Sequence, residues 1–239
     1  MNGALVLVAT PIGNLGDLST RAVETLRDAD VIAAEDTRRT RALLTYSGIA
    51  AAGRLRAVHA HNEQEGAGWI VDAIRNGARV AYVTDAGMPG ISDPGERLVR
   101  ACLDAELPVE VVPGPSAVHT ALVLSGFPTD RFAFEGFLPR RGVARRERIT
   151  ALVSEPRTTV LFEAANRVLG TLTKLLEVCG PLREVAVARE LTKQFEEVWR
   201  GTLDDAVDHV TTTEPRGEHV IVLAPAPTPP EAGDEEIDA

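Results

Sequence analysis

Residues 79–95 read RVAYVTDAGMPGISDPG, an apolar run followed by a segment rich in glycine, proline and acidic residues. The run has the length and composition of a buried β-strand. The segment after it, Asp85 to Gly95, contains hardly a bulky apolar side chain and is longer than a simple turn requires. Glycines there allow backbone amides and carbonyls to approach a ligand closely. We therefore interpret this stretch as a strand followed by a ligand-binding loop.

The spacing of the glycines excludes two common nucleotide motifs. Gly87, Gly90 and Gly95 do not fit GxGxxG, and the loop lacks the Gly-Lys-Ser/Thr of a phosphate-binding P-loop. The usual NAD and ATP sites are therefore disfavoured.

Similar apolar runs recur on both sides of this strand, and segments with helical periodicity separate them. In the first such segment Ala22, Leu26 and Ala29 recur at helical spacing. Strands that alternate with helices indicate βαβ units and a mostly parallel sheet. The strands of this half are expected near residues 4–9, 30–34, 55–59, 79–84 and 108–112.

The pattern changes after residue 130, where some neighbouring strands are joined by short links. Residues 190–193, for example, are expected to connect two strands. We therefore predict an α/β protein of two domains, with a parallel sheet in the N-terminal domain and a mixed sheet in the C-terminal one. The strands of the second half are expected near residues 131–135, 158–163, 184–189, 195–201 and 218–223.

The domain boundary is placed where glycine, proline and serine concentrate, between residues 114 and 128. This gives an N-terminal α/β domain over residues 1–115 and a C-terminal α/β domain over residues 116–224. Residues 225–239 consist largely of proline, alanine, glycine and acids, a composition that predicts a disordered tail.

Each strand of the first half ends in a glycine-rich, proline-rich or charged segment. The first strand runs into TPIGN (10–14), the second into EDTR (35–38) and the fifth into PGPSA (113–117). Ligands of open parallel sheets bind just outside the carboxyl ends of the strands. We therefore place the active site at this edge of the first domain.

Composition bounds the class of protein. The 239 residues are 44% hydrophobic and 25% charged, as in a soluble globular protein. The two cysteines and five histidines form no ligand motif, so no metal site or disulfide framework is predicted. The N-terminal apolar run is too short for a membrane span or signal peptide. We expect a cytoplasmic protein with no membrane segment.

The net charge of −10 argues against a polyanionic partner, but five arginines lie between residues 140 and 148. Such clusters either contact phosphates or form solvated helix faces, and the sequence leaves both interpretations open. The candidate RNA-binding residues are Arg38, Arg39, Arg41, Arg140, Arg141, Arg145 and Arg146.

Several long motifs, in order along residues 4–223, resemble the tetrapyrrole-methylase superfamily and, within it, the ribosomal RNA small subunit methyltransferase I branch. They are VATPIGNLGDLSTRA (8–22), AAEDTRRT (33–40), HNE (61–63), DAGMPGISDPG (85–95), PGPSAV (113–118), FPTDRFAFEGFLPR (127–140), AVARELTKQFEEVWRGTL (186–203) and GEHVIVL (217–223). ATPIGN, AEDTR and ARELTK distinguish this branch from the corrin and porphyrin methylases.

The resemblance implies a homodimer of two-domain subunits, with S-adenosylmethionine in a cleft between the domains. It also implies 2′-O-methylation of a cytidine in the decoding centre of 16S rRNA, on the assembled small ribosomal subunit. The first domain would serve RNA and cofactor, and the second would line the cofactor cleft. No metal is needed for this chemistry.

The resemblance also assigns candidate residues. For cofactor binding it points to Pro11, Gly87, Met88, Ile91, Ser92, Ser116, Ala117, Phe162, Ala188 and His219. For the general base it offers Asp85, Glu163, Asp36 and Lys193 without a firm ranking, with a slight preference for Asp85 because its loop is central.

The chain departs from the family pattern at Met88 and Gly90, where relatives usually carry Thr and Leu, and at Asn166, where they carry His. The last departure removes a proton-transfer role from position 166. Two other functions stay open: methylation of a corrin or porphyrin ring, and cofactor or RNA binding without catalysis.

Overall fold

A computed structural model describes residues 3–51, 53–213 and 215–227. The described residues form two compact units that divide between Ala117 and Val118. Of the predicted tail, residues 225–227 are described and residues 228–239 lie outside the described part. In the described part of the chain, no helix is long and apolar enough to cross a membrane.

The first unit is an open parallel sheet with the strand order β3-β2-β4-β1-β5. This confirms the predicted parallel sheet, since a strand lies near each expected position. A short 3-10 turn, Leu15–Asp17, precedes α1. The elements are β1 (Ala4–Val8), α1 (Thr20–Asp28), β2 (Val31–Ala34), α2 (Thr37–Tyr46), β3 (Leu55–Ala57), α3 (Glu63–Arg75), β4 (Arg79–Val83), α4 (Glu96–Asp104) and β5 (Val109–Val112).

The strands bury apolar side chains on both faces, which is why they read as continuous apolar runs. Along β1, Val6 joins a core with α1 and α2, whereas its neighbours Leu5 and Leu7 join a second core with α3 and α4. The helices that follow β1 and β2 therefore cover one face, and those that follow β3 and β4 cover the other.

The second unit contains the predicted mixed sheet, and its strand order is β6-β7-β10-β8-β9. Strands β6 and β7 pair in parallel, and the β7–β10, β10–β8 and β8–β9 pairs are antiparallel. Its elements are α5 (Ala117–Ser125, beginning at the division), β6 (Phe132–Phe137), α6 (Val143–Ala151), β7 (Thr158–Ala164), α7 (Ala165–Cys179), β8 (Glu184–Arg189), β9 (Glu197–Thr202), α8 (Leu203–Thr213) and β10 (Glu218–Leu223).

Helices α6, α7 and α8 pack against one face of this mixed sheet. Leu161 of β7 and Ile221 of β10 share a buried cluster with Leu172 of α7 and Val210 of α8. Since side chains alternate along a strand, the neighbours of Leu161 and Ile221 face the other side of the sheet.

Candidate functional site

The topology of the first sheet identifies one point at its carboxyl edge. Strands β1 and β4 are neighbours, yet the helices that follow them cover opposite faces of the sheet. A crevice opens outside the strand ends where successive connections diverge in this way, and ligands of open α/β sheets bind there. The candidate site therefore lies at the ends of β1 and β4.

Backbone hydrogen bonds join the segments that leave these two strands. Thr10 N donates to Gly87 O at 2.9 Å, and Gly87 N donates to Thr10 O at 3.0 Å. The hydroxyl of Thr10 also donates to Thr84 O at 3.2 Å. Gly87 has φ +75°, a left-handed conformation that glycine adopts without strain. This bridge holds the predicted cofactor residues Pro11 and Gly87 side by side.

The segment after β5 also closes on the end of β1. A Cβ atom at Gly114 would lie only 3.0 Å from the Cβ of Ala9, so the two segments are in close contact here. Ser116 follows and directly precedes α5, which begins at Ala117. The predicted cofactor residues Ser116 and Ala117 thus directly follow a segment that contacts the end of β1.

The glycine-rich loop (residues 85–95) folds back on itself. Gly90 N donates to Pro94 O at 3.0 Å, and Ile91 N donates to Met88 O at 3.3 Å. Ser92 has φ +61°, a left-handed conformation that is uncommon outside glycine. Such backbone strain clusters at functional sites.

Asp85 begins this loop and has one oxygen held and one oxygen available. Its Oδ2 lies 3.4 Å from Nη1 of Arg39. Its Oδ1 is buried and accepts no hydrogen bond from any residue that the structure describes. Because buried polar atoms are nearly always paired, this oxygen is a candidate hydrogen-bond acceptor for a bound group.

Glu35, at the end of β2, supports Asp85. Its Oε2 accepts a hydrogen bond from Asp85 N at 3.2 Å. Burial raises the pKa of Glu35 above its ordinary value, although the bond from Asp85 N opposes the shift. Two further buried atoms at this edge, Thr84 Oγ1 and His59 Nδ1, also lack a hydrogen-bond partner within the described residues. Three such atoms at one edge agree with a ligand site.

Asp36, another candidate base, caps helix α2. Its Oδ1 accepts from Arg38 N at 2.8 Å, and its Oδ2 forms an ion pair with Arg38 Nη2 at 3.0 Å. The hydrogen bond from the Arg38 side chain lowers the pKa of Asp36 to about 2. A carboxylate held in this way is a weak proton acceptor.

Glu163, at the end of β7, is almost completely buried and has both oxygens occupied. Oε1 accepts from Ala164 N at 3.0 Å and lies 3.1 Å from Nε of Arg167. Oε2 accepts from the hydroxyl of Thr171 at 2.6 Å. That hydroxyl also accepts from Arg145 Nη2 at 2.7 Å. These contacts indicate a structural role for Glu163. They also engage Arg145, one of the candidate RNA-binding arginines.

Lys193 bridges two carboxylates, with Nζ 2.8 Å from Glu190 Oε1 and 2.8 Å from Glu218 Oε2. Burial alone would lower its pKa, but these two hydrogen bonds outweigh burial and the pKa of Lys193 is raised. A lysine base requires the opposite shift. The environment of Lys193 therefore favours a role in holding the β8–β9 connection.

The sheet register separates the predicted cofactor residues of the second unit. Phe162 and Ala188 both pair with Val220 and so lie on the same face. His219 is the next residue of β10, and its side chain points to the opposite face, where burial lowers its pKa. Phe162 also contacts Phe134 edge-on, with ring centroids 5.0 Å apart. The cofactor roles of these residues stay predictions.

The candidate RNA-binding arginines divide by environment. Arg38 and Arg39 are exposed but paired with Asp36 and Asp85, and Arg145 is held internally. Arg41, Arg140, Arg141 and Arg146 are exposed and have no ion pair within the described residues. No cluster of three metal-ligating side chains occurs in the described ranges.

Sequence reasoning assigned no role to Glu35, Thr84 or Glu63, which the structure places at or beside this edge. Glu35 and Glu63 lie in the quoted motifs AAEDTRRT and HNE, so their motif position was the available signal. Nothing in the sequence distinguished the hydroxyl of Thr84 from that of an ordinary strand end.

Comparisons with known proteins agree with this architecture. Residues 4–207 match the family described as tetrapyrrole (corrin/porphyrin) methylases. The chain is 47% identical over 224 residues to ribosomal RNA small subunit methyltransferase I of Synechocystis sp., covering 94% of this chain and 80% of the relative. It is 51% identical over 223 residues to the protein of the same name from Xylella fastidiosa, covering 92% and 81%.

A solved structure shares the fold. Uroporphyrin-III C-methyltransferase from Thermus thermophilus, complexed with S-adenosylhomocysteine, superposes with a TM-score of 0.64 at 22% identity. The superposition covers 93% of this chain and 97% of that one. This similarity establishes the two-sheet architecture.

Proposed function

Because the chain belongs to the tetrapyrrole methylase family and, within it, to the ribosomal RNA small subunit methyltransferase I group, we propose that it methylates ribosomal RNA with S-adenosylmethionine. The observation that carries this proposal is the identity of 47–51% to relatives of that name over 92–94% of the chain. In finer terms, the acceptor is the ribose 2′-hydroxyl of a cytidine in the decoding centre of 16S rRNA, within the assembled small subunit. The family resemblance further supports a homodimer and, with ribosomes as substrate, a cytoplasmic location.

The carboxyl edge of the first sheet fits S-adenosylmethionine. This cofactor supplies a positively charged methylsulfonium group as the methyl donor. The carboxylates of Glu35 and Asp85 give the edge a complementary charge. Gly87 has no side chain that would obstruct the approach of its backbone groups to the cofactor. The cofactor residues proposed in this unit are Pro11, Gly87, Met88, Ile91, Ser92, Ser116 and Ala117.

Asp85 is the base that the geometry favours. Arg39 holds its Oδ2 at 3.4 Å, which orients the carboxylate and leaves Oδ1 to accept the proton that the ribose hydroxyl loses. Asp36 and Glu163 have their oxygens engaged, and Lys193 has a raised pKa. Deprotonation by a positioned side chain contributes about 10²–10⁴-fold to rate, and alignment of the reactants contributes the remainder.

The exposed arginines suit a phosphate backbone. Arg140, Arg141 and Arg146 flank and begin helix α6, and Arg41 lies on α2. Their charges are available to phosphates because no described carboxylate pairs with them.

The test measures tritiated methyl transfer from S-adenosylmethionine to small subunits that lack endogenous methylation, followed by nucleoside mass spectrometry. A 2′-O-methylated cytidine is expected. No incorporation into small subunits or free 16S rRNA, despite cofactor binding, would favour a tetrapyrrole substrate or a noncatalytic role.

The base is tested separately with Asp85→Asn. We expect turnover to fall by about 10²–10⁴-fold while the affinity for S-adenosylhomocysteine is retained. Asp72→Asn, on the outer side of α3, is the matched control. Unchanged turnover in Asp85→Asn with intact binding would remove Asp85 from the mechanism.

A further inference from the structure

Glu63 is a buried carboxylate that the proposed chemistry does not use. It is 6% exposed and begins helix α3, directly after the connection that follows β3. A carboxylate is buried at low cost only when hydrogen bonds compensate for lost water. The donors that compensate Glu63 therefore show what it does in the fold.

Both donors are backbone amides at the start of a different helix. Glu63 Oε1 accepts from Gly95 N at 2.8 Å and from Arg97 N at 3.2 Å. These amides belong to the N-terminus of α4, where backbone donors have no partner within the helix and the helix dipole favours a negative charge. Gly95, the N-cap residue of α4, has no side chain with which to satisfy them. Glu63 thus caps α4 from another element.

Position 95 cannot carry its own capping side chain. Gly95 has φ +141°, which is essentially restricted to glycine, and a Cβ there would lie 3.0 Å from Gly90 N and 3.3 Å from the ring of Tyr82. Gly90 N in turn donates to Pro94 O at 3.0 Å. The fold of the loop requires glycine at its end, and the acceptor that α4 needs is supplied by Glu63.

We propose that Glu63 is the positioning residue of the glycine-rich loop and sets its affinity for S-adenosylmethionine. The proposal rests on the proposed function, in which this loop contacts the cofactor. Asp85 fixes one end of the loop through Arg39 and Glu35, and Glu63 fixes the other through Gly95. Without Glu63, the loop loses its anchor at α4 and the bound conformation has to be selected from a wider ensemble.

The test compares three variants of the full chain. Glu63→Ala removes both hydrogen bonds, and Glu63→Gln keeps an acceptor oxygen without its charge. Glu65→Ala is the control, because Glu65 lies in the same turn of α3 and is exposed. The readouts are the dissociation constant for S-adenosylhomocysteine by titration calorimetry, the kcat and KM for S-adenosylmethionine, and the thermal midpoint.

We expect Glu63→Ala to bind S-adenosylhomocysteine about tenfold more weakly, the smaller of the losses that follow when a hydrogen-bond partner supporting a metal ligand is removed. KM should rise more than kcat falls, Glu63→Gln should recover most of the affinity, and Glu65→Ala should match the wild type. A Glu63→Ala protein with a lower thermal midpoint but wild-type affinity would overturn the proposal, since the role would then be structural only.

Hydrogen exchange covers the case in which Glu63→Ala does not fold. In Glu63→Gln the amides of Gly95 and Arg97 should exchange faster than in the wild type, because a neutral acceptor binds them less strongly than a carboxylate. Unchanged exchange at both amides would overturn the proposal. Failure of the wild type to bind S-adenosylhomocysteine would instead count against the proposed function. Amide exchange would still test whether Glu63 holds the loop through Gly95 and Arg97.

Discussion

Replacement of Gly95 by alanine tests whether the glycine-rich loop is specified by backbone conformation and close contact together. At φ +141° a side chain costs about 1–3 kcal/mol in conformational strain. The new Cβ would also lie 3.0 Å from Gly90 N, a backbone atom that cannot swing aside, and 3.3 Å from Tyr82 Cε1. We expect the free energy of unfolding of the first unit to fall by about 2–4 kcal/mol in total.

Two other glycines separate the causes. Gly77 has φ +91°, but no atom lies within 4 Å of the place that a Cβ would take, so Gly77→Ala should cost only the strain, about 1 kcal/mol. Gly68 lies within α3 in open space with no positive φ, so Gly68→Ala should stabilise by about 0.5–1 kcal/mol. The three variants are therefore expected to differ in both size and sign.

Urea denaturation provides the assay, and the chain allows each unit to be followed. Trp69 lies in the first unit and Trp199 in the second, so in a Trp199→Phe background the fluorescence of Trp69 reports on the first unit alone. A loss of 2–4 kcal/mol should lower the urea midpoint by about 1–2 M at an ordinary m-value. The reasoning is refuted if Gly95→Ala shifts the midpoint no more than Gly77→Ala does.

Three further predictions concern charge. Burial lowers the pKa of His219, so as pH falls below about 6.5 the unfolded chain takes up the proton first and stability is lost. His219→Gln should therefore lose less stability than the wild type between pH 7.5 and 5.5, as measured by urea titrations. An equal loss in both proteins would contradict the lowered pKa of His219. Joint replacement of Arg140, Arg141 and Arg146 by alanine should flatten the salt dependence of 16S rRNA binding by up to about three ion equivalents, and an unaltered slope would show that these arginines are only solvated. Lys193→Arg preserves a cation between the two carboxylates but cannot act as a base at neutral pH; turnover within about threefold of the wild type is expected, whereas loss of catalysis with intact cofactor binding would restore Lys193 as the base.

The sequence by itself determined the strands, the class of each sheet and the edge that holds the candidate site. These features are local. Apolar runs of strand length indicate buried strands, and the glycine-rich, proline-rich or charged residues after each strand indicate a ligand-binding edge. The segment from Asp85 to Gly95 was identifiable as a ligand loop because its composition is incompatible with a simple turn. The long motifs added the family, which the comparisons confirm.

The tertiary structure alone decided which candidates have a free oxygen. Asp85, Asp36 and Glu163 are equivalent in sequence, since each is an acid at the end of a strand. Their environments differ because partners distant in sequence, such as Arg39 for Asp85 and Thr171 for Glu163, occupy or leave open particular oxygens.

Strand order and register were likewise beyond the sequence. Apolar pattern does not encode which strand pairs with which, so the neighbouring positions of β1 and β4 had to come from the fold. Register then placed Phe162 and His219 on opposite faces, although the family resemblance had grouped them. Glu63 reaches Gly95 across 32 positions of sequence, a contact that exists only because α3 and α4 pack on the same face of the sheet. Features that depend on neighbouring residues can be predicted from the sequence, whereas contacts between residues distant in sequence depend on how the chain packs.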